Sequence, residues 1–251
     1  MVRCMHHLLC NIWSLESMPS DWSLSLLCPV LKKGNATICS NYRGISLLTI
    51  AYRILSSILC ERLKPFVNKL IGSYQCGFRP RKSTIDQIFT LHQILEKTKE
   101  KQIETHHLFV DFKSTFYTPH STYTPPEFGM PAKLIRLCEM ILKNAQCVVN
   151  LSEPFDAKRG FRQGDSVFCD FFNSLIGRII CAAGLRHSST IFYKSVMPLA
   201  YADDVDIIGR SICEVEDAFS KFAEEARSIG IAVNESKTKN LLSKAKDYSS
   251  Q

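Results

Sequence analysis

The chain has 251 residues, of which 45% are hydrophobic and 22% are charged, and its formal net charge is +7. These fractions are those of an ordinary globular protein, and they exclude a chain that is disordered by composition. The basic balance favours a polyanionic partner but does not specify one.

The sequence lacks the patterns of secreted and membrane proteins. No apolar run reaches the length of a membrane span, and the N-terminus has no clear signal-peptide cleavage site. The eleven cysteines are an odd number and form no C-x-x-C motif, which favours reduced thiols over a disulfide framework. We therefore expect an intracellular protein, in the nucleus or the cytoplasm, with no membrane partner. The sequence leaves its oligomeric state open.

Two helices are predicted in the first half of the chain. Apolar residues at helical spacing from Leu47 to Leu63 predict a helix that stops at Pro65. A second helix is predicted from Ser83 to Lys99, because Ser83 followed by Asp86 is the signature of a capping box. One apolar stripe is expected along it, formed by Ile85, Ile88, Phe89 and Leu95.

The second half of the chain alternates between strand and helix patterns. His106 to Phe112 is short and β-rich, and Met197 to Ile208 has two apolar runs around a polar tetrad, which is the pattern of a hairpin. Asp165 to Ile180 and Glu214 to Ile229 are predicted helices, and Gly230 is a predicted C-terminal cap. The inward residues expected in these two helices are Phe168, Phe172, Leu175 and Ile179, then Val215, Phe219, Phe222 and Ala226. This order favours an α+β domain with an antiparallel sheet.

Three carboxylates stand at the ends of the predicted strands. Asp111 ends the first strand, and Asp203 and Asp204 lie at the tip of the hairpin. If the strands are neighbours, the three side chains converge, and such a cluster can hold the two Mg²⁺ ions used in phosphoryl transfer. The alternative is a strand cap and an ordinary polar turn, since aspartate is common in both.

Six segments together carry a resemblance to a known family. They are YADD at Tyr201–Asp204, NYRGISLL at Asn41–Leu48, QCGFRPRKSTIDQIF at Gln75–Phe89, FVDFKSTF at Phe109–Phe116, RGFRQGDSVFCDFFN at Arg159–Asn173 and AEEARSIGIAVNESKTK at Ala223–Lys239. In their order along the chain, from Asn41 to Lys239, they resemble the fingers and palm motifs of reverse transcriptases from non-LTR retrotransposons. The resemblance extends from about Leu9 to Lys239.

The resemblance implies an α+β fold of the right-hand polymerase class, with an antiparallel palm sheet packed on helices. Residues 1–22 would be a helical remnant before the fingers, 23–105 fingers-like, 106–240 the palm and 241–251 a disordered tail. The few residues after the last motif suggest that the thumb is missing and that this copy is truncated.

The resemblance also implies an RNA-directed DNA polymerase that adds deoxynucleotides to the 3′-hydroxyl of a primer. Its partners would be an RNA template, a DNA primer and deoxynucleoside triphosphates. Asp111 and Asp203 would hold two Mg²⁺ ions with support from Asp204, and Mn²⁺ would substitute for Mg²⁺.

Further site residues follow from the same resemblance. The nucleotide-binding residues would be Phe112, Phe116, Gln163, Gly164, Arg43, Lys32 and Lys237. The template and primer would contact Arg79, Arg81, Lys82, Tyr201 and Ala202. Phe116 would exclude a 2′-hydroxyl, although a core aromatic is nearly as good an interpretation. Lys33 and Lys239 are alternatives to Lys32 and Lys237, and a solvated surface role fits each lysine equally well.

The chain departs from the family pattern at several positions. Tyr117 follows Phe116 where the family usually has Asp, and Pro125–Pro126 interrupt the expected next helix. Asp170 introduces a carboxyl group into a largely apolar helix, where burial without a partner is costly. These departures keep a second hypothesis open, namely a catalytically inactive remnant that only binds nucleic acid.

Overall fold

The computed structural model describes residues 2–112, 129–142, 145–149, 155–156, 164–185 and 196–244. The chain divides into two compact units. The first unit comprises residues 1–66 and 116–171, and the second unit comprises residues 67–115 and 172–251. The predicted boundaries between remnant, fingers, palm and tail remain predictions.

The first unit contains a mixed four-stranded sheet in the order β2-β1-β4-β5. Strand β1 (Leu24–Leu31) is antiparallel to β2 (Tyr42–Leu47) and parallel to β4 (Gln146–Val148), which is antiparallel to β5 (Phe155–Asp156). Helices α1 (Val2–Leu15) and α4 (Ala132–Leu142) belong to the same unit, together with two short 3₁₀ turns at Ser20–Trp22 and Cys39–Asn41.

Helix α2 extends from Ile50 to Leu70, so the prediction that it stops at Pro65 is wrong. Proline has no N–H group and therefore cannot bond to the carbonyl four residues earlier. The buried face nevertheless continues through this position, which explains why the helix does too. Its side chains are at most 2% exposed, and they are Tyr52, Leu55, Leu59, Leu63 and Val67.

The second unit contains an antiparallel sheet in the order β6-β7-β3-β8. Its strands are β3 (Thr105–Val110), β6 (Val196–Tyr201), β7 (Asp204–Gly209) and β8 (Lys239–Ser243). Helix α3 (Thr84–Glu100) packs against β6, and α6 (Ile212–Ser228) packs against β3 and β7. Helix α5 (Ser166–Ala182) completes the described elements.

Helix α3 begins as predicted but buries another face. The Ser83 hydroxyl accepts from the backbone N–H of Asp86, whose carboxylate accepts from the N–H of Ser83, so the capping box is confirmed. The predicted stripe is largely solvent-exposed, at 75% for Ile85, 58% for Ile88 and 63% for Phe89. The helix instead buries Ile94 in a cluster with side chains of β6 and β7, and these are Met197, Leu199 and Ile208.

The predicted α+β class is confirmed, as are the hairpin and the two later helices. Phe172, Leu175 and Ile179 of α5 are buried as predicted, and so are Val215, Phe222 and Ala226 of α6. Gly230 has φ of +81°, and Ile231 donates its N–H to the carbonyl of Ala226, which is a left-handed helix cap. Phe168 lies outside the described side chains, and Phe219 is only partly buried.

Residues 241–243, expected in a disordered tail, form the last part of β8. None of the helices in the described ranges is long and apolar enough to cross a membrane.

Candidate active site

The register of β3 and β7 brings two of the predicted metal ligands to the same end of the sheet. Val110 of β3 lies opposite Val205 of β7. Asp111 directly follows Val110 and Asp204 directly precedes Val205, so the two aspartates are next to each other across the strands. Side chains in such positions have Cβ atoms about 5 Å apart. Asp203 lies in the turn that joins β6 to β7.

Electrostatics agree with this proximity. Asp203 and Asp204 are solvent-exposed at the tip of the hairpin. The pKa of the Asp204 carboxyl is raised above its usual value, first by partial burial and then by the negative charges of Asp203 and Asp111. The hairpin tip is therefore a place where carboxylates repel one another, and where a cation would relieve that repulsion.

The carboxylate of Asp111 has two partners in a segment that follows α6. The side-chain amide of Asn234 donates to Asp111 Oδ2 at 2.9 Å, and the backbone N–H of Asn234 donates to the Asp111 carbonyl at 2.7 Å. Lys237 Nζ lies 3.6 Å from the same Oδ2 atom. Lys237 was predicted from the sequence to lie at the site, whereas Asn234 was missed although it lies within a quoted motif.

The chemistry of these donors fits a hard divalent cation, because Mg²⁺ prefers carboxylate oxygens. Their arrangement is less complete. In the part of the chain that the structure describes, no group of three or more His, Cys, Asp or Glu side chains is arranged to hold a metal ion. The Asp111 carboxylate is bound by Asn234 and Lys237 instead.

The turn that carries Asp203 is held by a buried glutamine. Ala202 has φ of +55°, and its backbone N–H donates to Gln75 Oε1 at 2.8 Å. The Nε2 atom of Gln75 donates in turn to the Ala202 carbonyl at 3.1 Å. Gln75 is 0% exposed, so neither group of its amide has access to water.

The segment that carries Gln75 is itself fixed in place. Tyr74 and Cys76 exchange backbone hydrogen bonds with Ala200 of β6, both at 2.9 Å. A Cβ atom on Gly77 would lie 2.1 Å from the Ala202 nitrogen, so only glycine fits there. Asn173 of α5 donates its amide to the Gly77 carbonyl at 2.8 Å. Sequence patterns assigned no role to Gln75 or Asn173, although both lie in quoted motifs.

The predicted template and primer residues differ in their surroundings. The Arg79 guanidinium donates to the backbone carbonyls of Gly72 and Gln75, at 3.0 and 3.4 Å. Arg81 and Lys82 are exposed just before the N-terminus of α3. Tyr201 is half-buried, and Ala202 is 5% exposed.

Among the predicted nucleotide-binding residues, Phe112 lies in the core of the second unit. Its ring packs against Phe172 and Phe222 at centroid distances of 6.3 and 6.1 Å, and it is 7% exposed. Little of this ring is available to a nucleotide. Phe116 and Gln163 lie outside the described residues.

The other predicted nucleotide-binding residues belong to the first unit. Arg43 on β2 is exposed, as are both Lys32 and Lys33. Gly164 has φ of +115°, and a Cβ atom there would lie 3.0 Å from the Ser46 carbonyl oxygen. Glycine is therefore required at this position by the backbone, whatever binds beside it.

The unusual Asp170 is buried but has a partner. It is 8% exposed on α5, and the thiol of Cys60 on α2 donates to its carboxylate. Burial raises the pKa of Asp170 and raises that of Cys60 to about 12. The sequence predicted the burial cost of this carboxyl group, and the structure adds the thiol that offsets part of it.

Comparisons with known proteins agree with the motifs. The chain is 23% identical to the uncharacterized 149 kDa protein of transposon TX1 from Xenopus laevis, over 94% of this chain and 19% of that protein. It is 24% identical to a probable RNA-directed DNA polymerase from transposon X-element of Drosophila melanogaster, over 90% and 26%. The chain thus spans about a fifth to a quarter of the length of these relatives.

Solved structures give the same fold. A telomerase from Candida tropicalis superposes with a TM-score of 0.67 at 16% identity, over 95% of this chain and 55% of that one. The model of the family described as reverse transcriptase (RNA-dependent DNA polymerase) matches residues 30–249, which is most of the sequence. The predicted resemblance is confirmed, and the chain belongs to the reverse transcriptase family.

Proposed function

We propose that this chain is the RNA-directed DNA polymerase domain of a non-LTR retrotransposon, which adds deoxynucleotides to the 3′-hydroxyl of a primer. The register of β3 and β7 carries this proposal, because it brings Asp111 and Asp204 to one end of the sheet, beside the turn that holds Asp203. Phosphoryl transfer depends mainly on such placement of charge, since the protein forms no covalent bond to the substrate.

Asp111 and Asp203 would hold two Mg²⁺ ions, or Mn²⁺ in their place, with Asp204 in support. When bound, these ions activate the attacking oxygen and neutralise the leaving one. Reverse transcriptases generally use divalent metal ions. Partial burial, and after it the negative charges of Asp203 and Asp111, raise the pKa of Asp204, and the repulsion among these carboxylates supports a cation at this place. Asn234 would orient the Asp111 carboxylate through its 2.9 Å hydrogen bond.

The substrates would be an RNA template, a DNA primer and deoxynucleoside triphosphates. Lys237, which lies 3.6 Å from Asp111, would supply positive charge beside the leaving pyrophosphate. Arg81 and Lys82 are exposed cations that would contact phosphates of the template or primer. Arg43 would bind the triphosphate of the nucleotide, because the N–H donors of a guanidinium match the geometry of phosphate oxygens.

Primer extension on poly(rA)–oligo(dT) with Mg²⁺ or Mn²⁺ tests the proposal. We expect extension by the parent chain and none by Asp203→Ala, which removes a carboxylate that has no packing role at the exposed tip. Extension that survives in Asp203→Ala would exclude this site. The polymerase function would be refuted if the parent chain extended no primer with either metal.

A second function, nucleic-acid binding without catalysis, is favoured by one observation. Asp111 is already bound by Asn234 and Lys237, and the described residues hold no arranged metal site. In that case the chain would bind primer–template with an affinity that falls steeply with salt, as contacts to phosphate do, and it would extend no primer. Gel-shift titrations at several salt concentrations, run beside the extension assay, separate the two functions.

A further inference from the structure

We propose that Gln75 is a positioning residue for the aspartates of the hairpin tip: its side-chain amide holds the backbone of Ala202 and thereby sets where Asp203 and Asp204 present their carboxylates. The catalytic part of this inference rests on the proposed polymerase function. The positioning itself concerns only contacts within the second unit, and it can be measured without any catalysis.

The turn between β6 and β7 has a conformation that requires support. Tyr201 pairs with Asp204, so Ala202 and Asp203 form a two-residue hairpin loop. The positive φ of +55° falls on Ala202, the first of the two, where such loops favour glycine. An alanine in this conformation persists only when its surroundings hold it there. Asp203 directly follows, so any change at Ala202 redirects its side chain.

The Gln75 side chain supplies this support. Both backbone groups of Ala202 are hydrogen-bonded by one side chain, with the N–H donating to Gln75 Oε1 and the carbonyl accepting from Nε2. The Oε1 atom also accepts from the N–H of Gly77 at 2.8 Å. These two N–H donors identify which end of the amide is oxygen. The amide supplies both an acceptor and a donor in this arrangement, whereas a carboxylate cannot donate.

The segment that carries Gln75 is fixed by contacts with β6 and α5. The parallel bridge between Gln75 and Ala200 ties the segment to β6, the strand that leads into the turn. The Gly77 carbonyl accepts from Asn173 of α5, and Gly77 has no room for a Cβ atom against Ala202. Gln75 therefore acts on Ala202 from a segment that is itself fixed on two sides.

Loss of the Gln75 amide would leave the N–H and carbonyl of Ala202 without these partners in a buried place. The turn would then relax toward other conformations, and the carboxylates of Asp203 and Asp204 would no longer be held in fixed positions. Removing a group that orients a metal ligand typically weakens metal affinity by about 10-fold or more. The expected defect is therefore weaker cation binding in a chain that still folds.

The experiment measures Mn²⁺ binding by electron paramagnetic resonance, which needs neither primer nor nucleotide. The variants are Gln75→Leu and Gln75→Glu, with Asp203→Ala as the reference for a lost ligand. We expect about a 10-fold weaker affinity for both Gln75 variants. The proposal would be overturned if a folded Gln75→Leu variant bound Mn²⁺ as tightly as the parent chain. It would also be overturned if the parent chain had no Mn²⁺ binding that Asp203→Ala weakens.

A double variant separates positioning from stability. Adding Ala202→Gly to Gln75→Leu relieves the strain of the positive φ, so the melting temperature should recover in part. The Mn²⁺ affinity should stay low, because glycine supplies no hydrogen bond that orients the turn. Recovery of both quantities would show a purely structural role and would refute the inference.

Amide hydrogen exchange in the parent chain keeps the test independent of variant folding. The N–H groups of Ala202 and Gly77 should exchange slowly, because both donate to Gln75 in the interior. Fast exchange at both would overturn the proposal even if Gln75→Leu did not fold. A parent that binds Mn²⁺ as expected yet extends no primer would refute the polymerase function and leave the positioning role of Gln75 in place.

Discussion

A buried pair on the strands that carry the aspartates leads to a strong prediction about stability. His107 Nδ1 on β3 lies 3.0 Å from Asp206 Oδ2 on β7, and the two side chains are 1% and 9% exposed. The other ring nitrogen lies 3.1 Å from the hydroxyl of Thr105. Because the carboxylate only accepts, Nδ1 carries the proton in this contact. In the described structure, Asp206 Oδ1 has no hydrogen-bond partner.

The loss of stability in each variant depends on which buried polar groups the substitution leaves without a partner. His107→Leu would leave the Asp206 carboxylate buried with neither oxygen paired, which costs about 3–5 kcal/mol of unfolding free energy. Asp206→Leu leaves an imidazole that still contacts Thr105, so its cost should be about 1–3 kcal/mol. The double variant replaces the pair by apolar side chains, and such replacements are often neutral. The two single effects should therefore fail to add.

Urea unfolding followed by circular dichroism measures all four corners of this double-mutant cycle. We expect a coupling free energy of about 2 kcal/mol or more, in the sense that the double variant is more stable than the sum of the single effects predicts. His92→Ala on the exposed side of α3 is a control for surface substitution, and it should change little. Additive single effects, or a cost below about 1 kcal/mol for His107→Leu, would refute this account of the pair.

Two further predictions concern single positions. Burial raises the pKa of Asp170 above its unfolded value of 3.8, so its ionisation destabilises the native state at neutral pH. Asp170→Asn should therefore raise the free energy of unfolding at pH 7, and this advantage should shrink as the pH falls toward 3.8, as urea unfolding at several pH values would show. Ser83→Ala removes the capping box of α3 and should cost about 1 kcal/mol in thermal unfolding, whereas an unchanged melting temperature would mean that the cap is dispensable.

Features that depend on local sequence were predicted well. The capping box needs only Ser83 and Asp86, three residues apart, and the cap at Gly230 needs only the left-handed conformation that glycine adopts easily. The hairpin from 196 to 209 follows from two apolar runs around a short polar turn. In each case the interacting groups are neighbours in the chain, so their spacing determines their geometry.

Features that depend on packing partners were predicted less well. The apolar stripe of α3 has the right period, but the helix buries Ile94 against β6 and leaves Ile85 and Phe89 exposed. A helical period shows that a face exists without showing which neighbour it meets. At Pro65 the sequence predicted the end of a helix that in fact continues to Leu70. Burial of side chains on both sides of the proline outweighs the one lost hydrogen bond.

The candidate site combines both kinds of feature. That Asp111 and Asp204 meet could be inferred once the two strands were taken as antiparallel neighbours, since each aspartate is adjacent to a paired valine. The partners that orient them could not be inferred in this way. Gln75 reaches Ala202 across 127 residues, and Asn234 reaches Asp111 across 123, so no local period links them. These contacts form because buried backbone and carboxylate groups need hydrogen-bond partners. A side-chain amide can be that partner whatever its separation along the chain. The acidic residues of the candidate site are thus visible in the sequence as short motifs, whereas the residues that orient them are found only by identifying the hydrogen-bond partner of each buried polar atom.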